Sequence, residues 1–216
     1  MGGFLQPLCY NRMYLFVKGL SFMLELRLLN EEEIEKIYHR HLICDFPPSE
    51  TKPLKAIIRM MQEDSYFCYG MYEDDRLLSY AFLVSVQAPV TNNPSVSKYL
   101  LLDYLAVVSD NRGVGIGSQT LSLLKKALPA QSIVLIEAEN PADAADEEEL
   151  RIRKARLRFY LHNACRLSSV TTTVYGVGYC IFSLYDGNAL EDTYIEEILE
   201  TIYNYMFSSH DVWKIG

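Results

Sequence analysis

Residues 100–117 read LLLDYLAVVSDNRGVGIG. From Leu100 to Val108 every residue except Asp103 is apolar or aromatic, a run too short for a membrane span and suited to a buried strand. Ser109, Asp110 and Asn111 break the run, and Arg112 leads into glycines at 113, 115 and 117 before an amphipathic helix begins. A strand, a glycine turn and a helix N-terminus in that order make a place for a phosphate. Backbone N–H groups converge there, the helix dipole favours an anion, and the missing side chains allow close approach.

On the C-terminal side, Leu121, Leu124 and Leu128 form an apolar stripe, Lys125 and Lys126 fall in the last turn, and Pro129 ends the helix. Ser132–Ala138 is another short buried strand, running into Glu139-Asn140-Pro141. The next helix opens with acids, Asp146 to Glu149, and continues with Arg151, Arg153, Lys154, Arg156 and Arg158, the order a helix dipole prefers. Val170–Val174 and Tyr179–Tyr185 form a hairpin about Gly176 and Gly178. A last helix carries Ile195, Ile198, Leu199 and Ile202 on one face, where it either caps the sheet or makes a homodimer contact.

On the N-terminal side, Leu24–Leu29 alternates apolar and charged residues as a half-buried strand does. Asn30 with Glu33 is a capping-box signature, and Ile34, Ile37, Tyr38 and Leu42 mark one face of a helix that ends at Phe46-Pro47-Pro48. A second helix starts near Pro53, with Leu54, Ile57, Ile58 and Met61 at helical spacing. Tyr66–Tyr72 and Leu77–Val86 are strands joined by the turn Glu73–Arg76, and Pro89–Ser97 is a loop. The pattern is that of a single α/β domain with a mixed α+β sheet.

The chain has 216 residues, half of them hydrophobic, enough for one well-buried domain. A net charge of −8 argues against nucleic acid or an anionic membrane as the main partner. Five cysteines without a CxxC pair read as reduced thiols of a cytoplasmic protein. Residues 1–22 are apolar, but Lys18 interrupts the only run like a signal h-region and no A-x-A site follows. The MGGFLQ start lacks the Ser/Thr of a myristoylation motif. The expected organisation is therefore an N-terminal extension over 1–22, a main domain over 23–186 and a C-terminal helical appendage over 187–216.

The glycines leave several ligands to weigh. A Walker A loop needs a lysine after its last glycine, and none follows Gly117. A dinucleotide fingerprint needs a third glycine where Ser118 or Thr120 stands, although Glu137 sits about 20 residues on, as that motif's acid does. The two adjacent helices and two hairpins also disfavour a doubly wound sheet and an oxidoreductase. A turn with no ligand would be costly for folding, given three glycines in alternation.

Arg112-x-x-Gly115-x-Gly117, preceded by Leu105-Ala106-Val107, resembles the R/Q-x-x-G-x-G/A acetyl-CoA signature of the Gcn5-related N-acetyltransferase (GNAT) superfamily. The order of elements over residues 23–186 matches as well. The resemblance implies an acyl-CoA N-acyltransferase fold, with a central, mostly antiparallel twisted sheet flanked by helices. It implies acetyl-CoA as cosubstrate and direct transfer to a primary amine on a small molecule or peptide; from charge and residue spacing, no metal, nucleic acid or membrane is expected. The backbone of Leu105, Ala106 and Val107 would pair with the pantetheine arm. The amides of Gly113, Val114, Gly115, Ile116, Gly117 and Ser118 would hold the pyrophosphate, with Arg112 partly structural and its charge a secondary contact.

Acetyl transfer needs a base for the amine, a donor for the oxyanion and a proton for the leaving thiolate. The family places the last role on a tyrosine in F-Y-x-x-x-G-F; Phe159-Tyr160 matches its first half, while Ala164 and Cys165 depart from the second. A phenol of pKa about 10 stays protonated at neutral pH and can donate to a thiolate whose conjugate acid is near 8.5. Tyr160 shares its helix face with Arg156 and Arg153, a stripe suited to an anionic cofactor. The alternative is a tyrosine that serves packing, with the arginines exposed. For the base, Glu137 is favoured and Glu139 second; two apart on a strand, they point to the same side, and either could instead be a solvated strand end. The oxyanion donor would be a backbone N–H near Leu105–Val107.

The departure at Ala164-Cys165 also fits a non-catalytic acyl-CoA-binding protein on the same fold. His39, His41, Cys44 and Asp45 suggest a metal by type, but the two histidines fall on different sides of a helix. His162 points away from Tyr160, and the basic run 151–158 is answered by the acids before it. The acceptor groove implied by the resemblance would carry Glu31, Glu32, Glu33, Asp45 and Glu50, which suits a cationic amine if those acids are not simply solvated.

Overall fold

The computed structural model describes residues 11–17, 20–89, 96–129, 131–207 and 210–216, with side chains from Met23 onward. Nine strands form one sheet: β1 (Asn11–Val17), β2 (Leu20–Leu28), β3 (Tyr66–Glu73), β4 (Arg76–Gln87), β5 (Lys98–Val107), β6 (Ser132–Glu139), β7 (Arg166–Val174), β8 (Val177–Leu184) and β9 (Trp213–Ile215). Their order is β1-β2-β3-β4-β5-β6-β8-β7-β9. The β5–β6 pair is parallel, and β1–β2, β2–β3, β6–β8, β7–β8 and β7–β9 are antiparallel. Helices are α1 (Glu31–Ile37), α2 (Ile43–Asp45), α3 (Leu54–Gln62), α4 (Ile116–Ala127), α5 (Glu147–His162) and α6 (Asp192–Met206). β4 is buried without interruption from Leu78 to Ser85, which marks a strand covered on both faces. The chain divides into two compact units, one drawn from Met1–Leu54, Cys68–Phe82 and Tyr104–Ala130 and the other from the remainder.

In the first unit the capping box forms as read. Glu33 N–H donates to Asn30 Oδ1 and Asn30 N–H to Glu33 Oε2, each at 3.0 Å. The helix does not run evenly to Phe46, however. It widens into a π-helical turn over Tyr38–Leu42 before α2, and it ends at Phe46, whose extended backbone prepares for the prolines. Ile34, Ile37 and Leu42 are buried from this segment, as are Ile116, Leu121, Leu123 and Leu124 of α4. Each such side chain contributes about 1.5–3 kcal/mol on leaving water. Thr120, on the buried side of α4, satisfies its hydroxyl on Ile116 O at 2.8 Å and against Ser79 Oγ at 2.6 Å.

The sheet begins earlier than the periodicity indicated. β2 starts at Leu20 rather than at Met23, and residues 11–17 pair with it from Asn11↔Leu26 to Val17↔Leu20. Much of the expected N-terminal extension is therefore an added strand, while residues 1–10 lie outside those described, as does most of the expected loop, 90–95.

In the second unit the β7–β8 hairpin turns on Tyr175 (φ 49°) and Gly176 (φ 83°), a left-handed pair that matches strand twist. β7 begins at Arg166, four residues before Val170, because a register irregularity between Leu167 and Thr171 hides its alternation. Ile195, Ile198, Leu199, Ile202 and Tyr203 of α6 are buried, and β9 pairs with β7 from Thr172↔Ile215 to Val174↔Trp213. At three residues, β9 is too short to show a period of its own.

Candidate active site

The glycine turn is assembled entirely within the first unit. After β5, Val108 N–H bonds Leu78 O at 2.9 Å, and a short 3-10 turn over Ser109–Asn111 follows. Asn111 is buried and accepts from Arg76 Nη1 at 3.1 Å, which anchors that turn. Residues 112–115 are then exposed. Gly113 (φ 80°) and Gly115 (φ 90°) adopt left-handed backbone, and a Cβ added at either would meet nothing within 4 Å. Backbone conformation, not space, therefore calls for glycine here.

Gly115 is the N-cap of α4 and supplies no capping side chain. The first intrahelical bond is Gln119 N–H to Gly115 O at 3.1 Å, so the N–H groups of Ile116, Gly117 and Ser118 have no acceptor in the helix. The positive end of the helix dipole lies behind them, an arrangement whose electrostatics favour negative charge. Upstream, the parallel β5–β6 ladder ends at Leu102↔Ile136, while β5 runs on to Val107. Leu105, Ala106 and Val107, all half-buried, lie beyond the ladder's last pair.

Arg112 is held by the chain itself. Its Nε donates to Val107 O at 2.9 Å and its Nη2 to Asp45 Oδ1 at 2.7 Å. Asp45 Oδ2 accepts from the buried Tyr80 hydroxyl at 2.9 Å, and burial together with this carboxylate pushes the Tyr80 phenol strongly upward. Asp45 is thus not free to greet a cationic acceptor. Glu32 is paired with Lys36 and Glu33 with Arg27, each at 2.6 Å. The expected acidic groove has largely spent its charge on the chain's own cations.

The carboxylates of β6 belong to the second unit. Glu137 Oε1 accepts from the Tyr203 hydroxyl in a short hydrogen bond and from Thr172 Oγ1 at 3.2 Å. Tyr203 is fully buried on α6, and its phenol is raised well above its ordinary range by burial and by the Glu137 charge. Its ring packs against Phe207 and Trp213 at centroid distances of 5.6 and 5.3 Å. Tyr203 falls four residues after Leu199 on the apolar stripe of α6, a spacing that marks it as inward-facing but does not single out its hydroxyl as a partner of Glu137.

Glu139 has a different environment. It pairs with Arg156 in a short contact and with Arg153 at 3.4 Å. Arg153 is itself buried and also donates to Glu149 Oε1 at 2.6 Å and to Asn140 O at 2.7 Å. The basic stripe read as facing an anionic cofactor is answered by these two glutamates, because α5 lays its arginines along the end of β6.

Tyr160 is 6 % exposed, with its ring against Phe159 and Phe182 at 5.1 and 5.4 Å. Burial raises its pKa to about 12 despite the nearby Arg156 charge. Ala164, where the family carries glycine, adopts φ 60°, and Cys165 N–H bonds Tyr160 O at 3.1 Å. The helix therefore ends as a glycine would end it, at a cost of about 1 kcal/mol in backbone strain. Among the described residues no group of three His, Cys, Asp or Glu could hold a metal, and no helix is long and apolar enough to cross a membrane.

No protein-family model matches this sequence, and no curated protein matches it. Solved structures do. An acetyltransferase of the GNAT family from Bacteroides thetaiotaomicron superposes with a TM-score of 0.63 at 16% identity, covering 85% of this chain and 98% of its own. Arabidopsis thaliana Naa50, solved with the bisubstrate analogue CoA-Ac-MVNAL, gives 0.53 at 11% identity, with coverages of 74% and 97%. A Bacillus subtilis acetyltransferase in complex with CoA gives 0.50 at 15% identity, with coverages of 75% and 98%. The chain has the acyl-CoA N-acyltransferase fold of the Gcn5-related N-acetyltransferase superfamily.

Proposed function

We propose that this protein transfers an acetyl group from acetyl-CoA to a primary amine. The observation that carries the reading is the exposed turn at 112–115 feeding α4, whose leading amides have no acceptor in the helix. Residues 113–118 suit the pyrophosphate of CoA, and Leu105, Ala106 and Val107 suit its pantetheine arm as a strand-like partner. Two of the similar structures hold CoA or a CoA–peptide analogue, which supports the same ligand and an amine acceptor on a peptide or small molecule.

When bound, acetyl-CoA supplies an activated thioester. The acceptor amine loses a proton, its nitrogen forms a bond to the acetyl carbon, and the carbon–sulfur bond breaks. Glu137 is assigned to take the amine proton, directly or through water, and Tyr203 and Thr172 hold its carboxylate in one orientation for that task. Tyr160 is assigned to the leaving sulfur. With its pKa at about 12 against about 8.5 for a thiol, it stabilises the thiolate better as a hydrogen-bond donor than by full proton transfer. Glu139, tied to two arginines, is a structural carboxylate in this reading.

The test is a titration with CoA by calorimetry, followed by thiol release from acetyl-CoA across a panel of small amines and free peptide N-termini. Micromolar binding with turnover on one acceptor class is the expected result. Binding without turnover on any acceptor leaves an acyl-CoA-binding module, and no binding removes the proposal.

A further inference from the structure

The Arg112 side chain, at the first position of the turn, reaches back across the fold in two directions. Through Nε it staples the turn to Val107 O, and through Nη2 it joins Asp45, the last residue of α2, 67 positions away in sequence. Asp45 is itself fixed, its other oxygen taking the hydroxyl of Tyr80 from the middle of β4. The Asp45 side chain is 15% exposed and that of Arg112 57%, so the carboxylate is the anchored partner and the guanidinium the one that is held. The next segment is pinned separately. Tyr104, on β5 just before Leu105, donates to Glu50 O at 2.7 Å and accepts from Lys52 N–H at 2.8 Å, with Phe46 edge-on to its ring at 4.8 Å.

We propose that Asp45 is the positioning residue for the phosphate turn, holding Arg112 so that the amides after it face outward as a set. This inference rests on reading the turn as the CoA pyrophosphate site. Arg112 then contributes to cofactor affinity by shaping the turn, with its charge largely compensated by Asp45, rather than as a free cation on the phosphate. Shape and charge make different predictions. A free phosphate-binding arginine loses the same affinity whether or not Asp45 is present, whereas a held arginine has nothing to lose once its anchor is gone.

The experiment is a double-mutant cycle read on CoA affinity and on steady-state kinetics. Asp45→Ala and Arg112→Ala are each expected to weaken CoA binding by about tenfold, the worth of one charge-assisted hydrogen bond. The double variant should be no weaker than either single one, with KM for acetyl-CoA raised and kcat at saturation nearly unchanged. Losses that multiply in the double variant, or an Asp45→Ala protein that binds CoA like the wild type, overturn the proposal. Asp45→Asn, which keeps a side chain of the same shape, serves if the alanine variant folds poorly; it should lose less affinity than the alanine.

A ligand-free measurement separates this inference from the function it rests on. Trypsin must extract the Arg112 side chain to cut before Gly113, so Asp45→Ala should speed cleavage at that bond several-fold relative to the protein's other tryptic sites. An unchanged cleavage rate sinks the positioning role even if CoA binds. Failure of the wild-type chain to bind CoA, with cleavage accelerated as expected, sinks the cofactor reading instead and leaves the Asp45–Arg112 tether standing.

Discussion

The turn at 112–115 and the carboxylates at the end of β6 satisfy their polar groups in opposite ways. The turn is exposed, its helix has no capping side chain, and the amides that open α4 precede the first intrahelical donor, Gln119 N–H. Its single long side chain, Arg112, is committed to Val107 and Asp45. Glu137 is instead met at Oε1 by Tyr203 and Thr172, and Glu139 by Arg153 and Arg156. The contrast is instructive because the two regions looked alike in sequence, each a short polar constellation after a buried strand. Donors with no internal acceptor point to a ligand. Carboxylates with internal partners are consistent with chemistry but do not require it, since a buried charge needs such partners simply to be tolerated.

The largest expected effect therefore falls on the carboxylate side. Glu137→Gln keeps the hydrogen-bonding shape and removes the base, and it should lower kcat by about 10²–10⁴-fold while leaving CoA affinity nearly intact. Wild-type turnover would make Glu137 as structural as Glu139 and erase the distinction drawn between them. Arg153→Met should cost about 3 kcal/mol in urea unfolding, because it leaves Glu149 and part of Glu139 without their buried partner. A loss under about 1 kcal/mol would mean that the cluster behaves as a solvated surface pair.

Backbone handedness, at the turn and at the end of α5, gives smaller effects of both signs. Gly115→Val forces a β-branched residue into φ 90° and should weaken CoA binding by about tenfold, with a stability loss of about 1–2 kcal/mol. Ala164→Gly makes the reverse change at φ 60° and should raise stability by up to about 1 kcal/mol, read as a higher Tm, with turnover unaltered. If both variants moved stability the same way, backbone handedness would not be the cause.

The mildest effect lies far from working pH. Tyr160 and Tyr69 have folded-state pKa values raised by burial to about 12, against 10.0 for the free phenol. Because the folded chain holds these protons more tightly, the stability they contribute is complete below pH 10 and is lost as pH rises toward about 12. A scan of Tm against pH should stay flat to about 10 and then fall, with tyrosinate absorbance lagging until unfolding.

Most of the local architecture could be read from the chain. The Asn30–Glu33 cap, the strand–turn–helix at 100–127 and the β7–β8 hairpin are local patterns, and their energetics are decided within a few residues. Where elements were missed, the local signal was weak or interrupted. β9 is short, the start of β7 is masked by its irregular register, and the π turn at Tyr38–Leu42 keeps a helix-like apolar spacing.

What the amino-acid sequence alone determined was the glycine turn: left-handed positions that only glycine fills cheaply, followed by a helix start without a capping side chain, are properties of consecutive residues. What only the tertiary structure decided was which charged groups remain available for chemistry. Arg112 finds Asp45, Glu137 finds Tyr203, and the arginines of α5 find Glu139, none of them from the same element. Those pairings follow from the need to match each charge drawn toward the interior with an opposite charge or a hydrogen-bond donor, and which partner arrives is set by how the elements pack.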